Sequence, residues 1–271
     1  MRPRADDDSL RIFVLSGAGG GVPDLRAFAA TPADFARFAP VRYPGWRRYV
    51  DEEFSLEVLI RDLANEIVAR NPIGRVGILG VSLGGHLGYA VALRLQSLGI
   101  EVAGLCVVDS FIISSDAVRP GSSGRYFARA LALTRGGSLA SLFVMVRSLF
   151  WRALLRLVGG RAISWLRRWR QNDLFRAALR IDPLLEKEIS MRLLLRAAAP
   201  WISGLDRNPI PLLAPAAHMR TGRTSEDDMA WRARCPNIMT VEIAGDHEGL
   251  LDPENFVQLR RGFASATLGW R

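Results

Sequence analysis

Hydrophobic and polar positions along the first 110 residues follow two alternating periods. Short apolar runs at Leu10–Leu15, 76–79 and Val102–Val108 are typical of buried strands. Apolar residues recur with helical spacing at Leu56–Arg70 and 83–98. Strands that alternate with helices pair in parallel, with the helices packed on both faces of the sheet. The pattern therefore predicts an α/β domain.

The pattern changes at about residue 114, and helical spacing then continues to about residue 205 without a strand signal. Strand signals return at 210–219 and 238–244, and a final helix is predicted at 253–264. This order indicates a helical insertion in a sheet domain. The predicted segments are the N-terminal part of the core at 1–113, the insertion at 114–205 and the C-terminal part of the core at 206–271.

The net charge of the chain is +9, and its basic residues are concentrated in the insertion. Segment 114–205 has 16 Lys and Arg against 5 Asp and Glu, whereas the rest of the chain has 20 basic and 22 acidic residues. Arg147, Arg152 and Arg156 recur there at helical spacing among Leu, Phe and Trp. A localised basic surface indicates an acidic partner. Because no recognition motif accompanies the arginines, we expect no nucleic-acid partner.

The cysteines and the apolar segments limit the protein class. Cys106 and Cys235 are too few for a disulfide framework or a metal cluster, and no Cys-His ligand spacing is present, so we expect no metal site. The first 15 residues lack the features of a signal peptide. Three arginines interrupt the most apolar segment, 139–160, and each would cost about 2.5 kcal/mol or more in a bilayer. We expect a cytoplasmic protein without a transmembrane segment.

Ser82 lies between Gly80 and Gly84, where a predicted strand is followed at once by a predicted helix. Glycines at these positions permit a sharp turn, and Gly85 permits close packing of the helix. Such a strand–turn–helix elbow places a serine hydroxyl above the edge of the sheet, with a helix N-terminus behind it. This context predicts that Ser82 is a nucleophile.

A serine nucleophile needs a general base, and the chain has three histidines. His86 lies four residues into the helix after the elbow and His218 lies at a strand, so we interpret both as structural. His247 follows the predicted strand 238–244 at the start of a loop. From there an imidazole can reach across the strand ends to the serine, and we predict that His247 is the base.

The carboxylate that orients the imidazole has two candidate positions. Asp109 ends the strand beside the elbow strand. The second candidate is an acidic triplet after the strand that ends near residue 219, namely Glu226, Asp227 and Asp228. A carboxylate at the end of an apolar strand has no obvious structural purpose, whereas an acidic triplet in a polar loop is explained as solvated surface. Asp109 is therefore favoured, and the triplet is the alternative.

An oxyanion hole needs two backbone N–H donors. One is expected from Leu83, directly after the nucleophile, and the other from the loop SGAGGG after the first strand, at Ala18 or Gly19. That loop has neither the lysine of a P-loop nor a following ribose-binding acid, so we do not interpret it as a nucleotide site.

Four motifs carry a family resemblance. The elbow GVSLGG, the strand end VVDS, the segment NPIPLLAP and the terminal GDHEGLLDPENF resemble the thioesterases of polyketide and nonribosomal-peptide synthesis, a branch of the α/β-hydrolases. The resemblance covers about 10–112 and 205–263, and the insertion 114–205 falls where that family carries a variable lid. It implies an α/β-hydrolase fold, with a mostly parallel central sheet flanked by helices and an all-helical lid.

Matched residue by residue, the resemblance implies that Ser82 is the nucleophile, Asp109 the acid and His247 the base, with an oxyanion donor near Ala18. Val81 departs from the family, since many members have histidine or tryptophan there. The long, basic lid is a second departure, and it leaves the choice of substrate open.

The implied activity is that of a serine thioesterase. Such an enzyme releases an acyl, polyketide or peptidyl chain from a phosphopantetheine carrier through an acyl-serine intermediate, by hydrolysis or by cyclisation. No cofactor is expected beyond the phosphopantetheine that presents the substrate. The expected partners are an acyl or peptidyl carrier protein, contacted by Arg147, Arg152 and Arg156, and a small-molecule acyl thioester.

Two other functions are consistent with parts of the sequence. A serine esterase or lipase acting on free oxygen esters would use the same three residues. A peripheral membrane module would use the basic, tryptophan-containing helices, because these also bind anionic lipid surfaces, but that function leaves the serine, histidine and aspartate unexplained.

Overall fold

The computed structural model describes most of the chain outside the predicted lid. The described residues are 10–18, 22–30, 36–70, 74–111, 162–173, 183–221, 225–245, 247, 250 and 253–270. The chain divides into two compact units, of which the first contains 1–43, 55–112 and 200–271 and the second contains 44–54 and 113–199. The predicted lid boundaries of 114 and 205 stay a prediction, because most of that segment lies outside the described residues.

Six strands of the first unit form one sheet. They are β1 (Leu10–Leu15), β2 (Ala36–Pro40), β3 (Val76–Val81), β4 (Val102–Val108), β5 (Ala216–Arg220) and β6 (Ile238–Glu242). Their order across the sheet is β2-β1-β3-β4-β5-β6, and every described pair is parallel. The predicted parallel α/β fold is confirmed.

The described residues contain eight α-helices. They are α1 (Val22–Ala30), α2 (Trp46–Tyr49), α3 (Leu56–Arg70), α4 (Leu83–Ser97), α5 (Ala162–Trp169), α6 (Pro183–Arg207), α7 (Ser225–Arg234) and α8 (Phe256–Ala266). Short 3₁₀ turns lie at Pro253–Asn255 and Leu268–Trp270. No helix among the residues described here is both long and apolar enough to cross a bilayer.

The two central strands are buried along their whole length. Both β3 and β4 are continuous apolar runs, which is typical of parallel strands that are covered on both faces. Trp270, only 2% exposed, packs against glycines of these strands. A Cβ atom at Gly104 would lie 2.1 Å from the indole, and one at Gly77 would lie 3.1 Å from it. The C-terminal turn is therefore part of the core.

The structure corrects the strand predicted at 210–219. Only Ala216–Arg220 is a strand, and residues 209–215 are irregular. Proline has no N–H to donate to a neighbouring strand, which accounts for the late start. Three prolines lie in this stretch: Pro209, Pro211 and Pro215.

The structure also corrects the loop predicted around the acidic triplet. Residues 226–228 lie in the first turns of α7. Acidic residues stabilise a helix N-terminus, because the helix dipole is positive there. The apolar pattern did not predict the short elements α1, β2 and α2, which lie between the glycine-rich loop and α3.

In the second unit, arginines of α5 and the turn after it bind the segment that contains α2. The Arg167 Nε–H donates to the Val50 carbonyl at 2.8 Å, and its Nη1 lies 3.0 Å from a Glu52 carboxylate oxygen. Arg170 pairs with Asp51 at 2.6 Å. Segment 44–54 thus belongs to this unit, which the sequence did not predict.

Candidate active site

The turn between β3 and α4 holds Ser82 in a strained conformation. Its φ is +54° and its ψ is −122°, which a non-glycine residue rarely adopts. The Ser82 N–H donates to the Val108 carbonyl at 2.8 Å, and the Gly85 N–H donates to the Ser82 carbonyl at 3.0 Å. These bonds fix the turn against β4, as the predicted elbow requires.

The glycines beside Ser82 are needed because backbone atoms pass very close to them. A Cβ atom at Gly80 would lie 2.1 Å from the Gly84 carbonyl oxygen. A Cβ atom at Gly84 would lie 2.3 Å from the Leu15 carbonyl oxygen. Neither contact can be relieved by a side-chain movement. A larger residue at Gly80 would push β3 away from the start of α4, and one at Gly84 would push the elbow away from the end of β1.

Asp109 lies directly after β4 and is fully buried. Its φ is +47°, and its N–H donates to the Met219 carbonyl at 2.8 Å. Thr221 donates to both carboxylate oxygens, from its backbone N–H to Oδ1 at 2.5 Å and from its hydroxyl to Oδ2 at 2.6 Å. Hydrogen bonds to a buried carboxylate compensate for its lost hydration. Sequence reasoning missed Thr221, whose only signal is that it directly follows β5.

His247 contacts this carboxylate. Its Nδ1 lies 3.4 Å from Asp109 Oδ2, and its ring centroid lies 5.6 Å from that of Phe111. The imidazole follows β6 through a turn in which Gly245 has a φ of +111°. Its side chain is 43% exposed, so solvent can reach it. The structure thus brings two of the three predicted catalytic residues into contact at the strand ends where Ser82 also lies.

Asp228 is the residue of the acidic triplet whose side chain the structure describes, and it pairs with Arg220. Its Oδ2 accepts a hydrogen bond from Arg220 at 2.8 Å, and its Oδ1 faces the Nδ1 of His218 at 3.6 Å. The side chains of Glu226 and Asp227 lie outside the described residues.

The other two histidines are buried. His86 Nε2 lies 2.9 Å from the Phe111 carbonyl oxygen, and its Nδ1 lies 2.8 Å from Arg234 Nη1. Burial, and secondly the charge of Arg234, lowers the pKa of His86 to about 3. His218 lies within β5, with its ring centroid 6.1 Å from that of Trp231. Both side chains are 1% exposed, and the interpretation of these histidines as structural stays a prediction.

The loop after β1 passes beside Ser82. The Tyr43 hydroxyl donates to the Ser16 carbonyl at 2.7 Å, and a Cβ atom at Gly17 would lie 3.2 Å from the Cβ of Ser82. Ala18 belongs to this loop. Leu83 is the first residue of α4, and first-turn N–H groups of a helix have no acceptor within that helix. Both predicted oxyanion donors therefore belong to segments that adjoin the serine.

The remaining predicted site residues lie outside the described part of the chain. They are Gly19 in the first loop and Arg147, Arg152 and Arg156 in the predicted lid.

Part of the chain is similar to known proteins. The family model of the thioesterase domain matches residues 10–130. The AMB antimetabolite synthetase AmbE of Pseudomonas aeruginosa is 36% identical over 113 residues, which are 41% of this chain and 5% of that protein. Thioesterase TesA of Mycobacterium leprae is 38% identical over 107 residues, 35% of this chain and 38% of that protein. The chain thus spans well under half the length of both relatives.

A solved structure shows the same fold over nearly the whole chain. YbtT, a type II thioesterase from the yersiniabactin NRPS/PKS biosynthetic pathway, aligns with a TM-score of 0.61 at 18% identity. The alignment covers 98% of this chain and 97% of that structure. The sequence resemblance to thioesterases is confirmed. Residues 10–130 match the thioesterase domain, and the chain has the α/β fold of the solved thioesterases, a parallel sheet flanked by helices.

Proposed function

We propose that the chain is a serine thioesterase in which Ser82, His247 and Asp109 form the catalytic triad. The observation that carries the proposal is the contact between His247 Nδ1 and Asp109 Oδ2 at 3.4 Å. It lies at the edge of the sheet where the strained Ser82 also follows its strand. A carboxylate on Nδ1 keeps the proton there and leaves Nε2 free to take the serine proton.

The reaction follows from these roles. Nε2 of His247 takes the hydroxyl proton of Ser82 as Oγ bonds to the thioester carbonyl carbon. Backbone N–H groups of Leu83 and Ala18 bind the resulting oxyanion. The C–S bond then breaks, and His247 returns the proton to the departing thiolate. Water, or a nucleophile within the acyl chain, attacks the acyl-serine by the same proton transfers and gives an acid or a ring.

Thioesters are favoured over amides because of the leaving group. A free thiol has a pKa of about 8.5, so a departing thiolate needs less protonation than an amine. The family match and the names of the relatives support a thioester substrate. We infer that the natural substrate is an acyl, polyketide or peptidyl chain carried on phosphopantetheine.

The basic residues of the predicted lid, 114–205, support a carrier-protein partner. Its excess of arginine suits both the phosphate of phosphopantetheine and the acidic surface of a carrier protein. The double substitution Arg152→Glu and Arg156→Glu is expected to weaken carrier binding at least about tenfold while leaving turnover of a small free thioester unchanged. An unchanged affinity for the carrier protein would show that Arg152 and Arg156 do not contribute to carrier binding.

Substrate preference tests the proposed function. Acyl thioesters of increasing length are compared with matched oxygen esters, with Ser82→Ala as the control and products identified by mass spectrometry. We expect higher kcat/KM for the thioesters and no turnover by the control. Preference for oxygen esters would make the chain an esterase. Absence of any turnover, together with flotation on anionic liposomes, would favour the membrane module.

A further inference from the structure

Helix α7 reaches the backbone that follows Asp109. The indole Nε1–H of Trp231 donates to the Ser110 carbonyl at 2.7 Å. Trp231 is 1% exposed, so this bond is shielded from water. It holds the chain one residue beyond the proposed catalytic acid.

A second buried connection runs from the same helix through His86. The guanidinium of Arg234 donates from Nη1 to His86 Nδ1 at 2.8 Å. A guanidinium has no acceptor, so Nδ1 must accept this bond and the ring proton must be on Nε2. Nε2–H then donates to the Phe111 carbonyl at 2.9 Å. Arg234 therefore fixes the tautomer that holds the second residue beyond Asp109.

The connection is rigid because its members are packed against one another. His86 and Arg234 are each 1% exposed. The guanidinium carbon of Arg234 lies 5.1 Å from the ring centroid of Trp231 and 5.6 Å from that of Tyr89. The His86 ring stacks on Trp231 with centroids 5.2 Å apart. Such cation–π and stacking contacts orient both side chains without exposed polar atoms.

His86 stays neutral at working pH, which the connection requires. Burial, then the charges of Arg234 and His218, oppose its protonation, and its pKa is lowered to about 3. A protonated ring could not accept the hydrogen bond from Arg234.

The held segment is the one that contacts His247. The carboxylate of Asp109 and the ring of Phe111 both lie against the imidazole, and they are only two residues apart. A carbonyl at each of positions 110 and 111 accepts a hydrogen bond from a buried side chain outside the segment. Any shift of this backbone would move both groups that orient the base.

We propose that His86 and Trp231 are positioning residues: by binding the carbonyls of Phe111 and Ser110, they hold the segment 109–111 that orients His247. This inference rests on the proposed serine thioesterase function. Burial of a charged guanidinium beside His86 is costly, and an apolar pair would fill the same space at less cost in stability. A requirement for an oriented segment at the base accounts for the polar connection.

Three substitutions separate positioning from packing. Trp231→Phe removes the indole N–H and keeps an aromatic ring beside Arg234. His86→Leu removes both hydrogen bonds of the imidazole. His86→Gln keeps one acceptor and one donor on neighbouring atoms, so it can bind both Arg234 and the Phe111 carbonyl.

The variants are assayed with an acyl thioester, and the rate of covalent labelling of Ser82 by an alkyl fluorophosphonate is measured in parallel. We expect Trp231→Phe and His86→Leu to lower kcat about tenfold or more, with KM within about twofold and the labelling rate reduced in step. His86→Gln is expected to recover most of the lost kcat. Gly104→Ala, which displaces Trp270 in the core, serves as the control that loses stability without losing kcat in the folded protein.

Folded Trp231→Phe and His86→Leu with unchanged kcat would overturn the proposal, and so would a His86→Gln variant as impaired as His86→Leu. If His86→Leu does not fold, Trp231→Phe and His86→Gln decide alone. A wild-type chain that neither turns over thioesters nor is labelled at Ser82 would instead refute the proposed function.

Discussion

At the scale of single residues, the site depends on two side chains in unusual backbone conformations. Ser82 and Asp109 both have positive φ, and each directly follows one of the two central strands. Such strain persists only where the surrounding structure fixes it. Here the hydrogen bonds from Ser82 N–H to Val108 and from Asp109 N–H to Met219 fix the two turns. Both side chains are thus presented at one edge of the sheet.

Asp109→Asn tests the assignment of the acid. The amide cannot provide the carboxylate charge opposite His247 Nδ1, so we expect kcat to fall by about 10²-fold or more while the protein stays folded. The matched control is Asp228→Asn at the alternative acid, which pairs with Arg220 and is expected to keep kcat within about threefold. Steady-state kinetics of the two variants measure the difference, and equal losses would contradict the assignment.

The glycines of the elbow give a second test. Gly84→Ala places a Cβ 2.3 Å from a backbone oxygen, and we expect it to lower the free energy of unfolding by more than about 2 kcal/mol. Gly204, also helical, has open space where a Cβ atom would lie, with nothing within 4 Å, so Gly204→Ala is expected to raise stability by up to about 1 kcal/mol. Urea unfolding compares the two, and a tolerated Gly84→Ala would mean that the elbow is looser than its contacts show.

The sequence indicated Ser82, Asp109 and His247 as candidate catalytic residues because of their positions after strands. Ser82 and Asp109 directly follow a strand, and His247 lies in the loop after one. Parallel strands end at the same edge of a sheet, so the three residues were expected to lie close together. It did not predict Thr221 or the contacts of Trp231. These residues reach the site through pairings more than 100 positions apart in sequence, and local patterns contain no information about such pairings.

At the scale of secondary structure, long apolar elements were predicted well and short ones were not. Strands β1 and β4 and helix α3 have the predicted bounds, because continuous or helically spaced apolar residues mark their whole length. Short elements bury too few residues to produce a period. The start of β5 was placed too early because apolar residues among prolines resemble a strand.

Helix α7 and α4 are joined by the buried pair of Arg234 and His86, which makes stability depend on pH. The pKa of His86 is about 3 in the folded chain, against an ordinary value of 6.5. Below about pH 6.5 the unfolded chain therefore binds a proton at His86 that the folded chain does not bind. The contribution of His86 to the free energy of unfolding is complete above that pH. It decreases by about 1.4 kcal/mol per pH unit as the pH falls toward 3. The charged or titratable groups around the ring are Arg234 of α7 and His218 of β5, with Asp228 facing His218.

The substitution His86→Gln replaces the imidazole, which binds a proton in the unfolded chain, with an amide that does not titrate. Between pH 7 and pH 5, we expect the wild type to lose about 2 kcal/mol more of its free energy of unfolding than the variant. Urea unfolding at the two pH values gives both numbers. Equal losses in the two proteins would show that His86 is not held neutral.

At the scale of the whole molecule, the chain combines a parallel sheet domain with a second unit rich in arginine. The sheet domain contains the proposed triad and both predicted oxyanion donors. The sequence identified the basic excess of 114–205 but not that segment 44–54 belongs to the second unit, since that grouping depends on ion pairs such as Arg170 with Asp51.

The two thiols give a test that applies to the whole chain. Cys106 and Cys235 are buried, and burial raises the pKa of both thiols, that of Cys235 to about 12. A thiol reagent needs the thiolate, so we expect no modification of the native protein and two modified residues after denaturation. Thioesterase activity is expected to survive the reagent. Rapid modification with loss of activity would point to a cysteine rather than a serine nucleophile.

Covalent trapping tests the central claim most directly. The wild type, Ser82→Ala and His247→Ala are each treated with an alkyl fluorophosphonate, and the modified peptide is located by mass spectrometry. We predict one adduct on Ser82 in the wild type, none in Ser82→Ala, and labelling slowed by about 10²-fold or more in His247→Ala. An adduct on another residue, or labelling at the wild-type rate without the imidazole, would contradict the account.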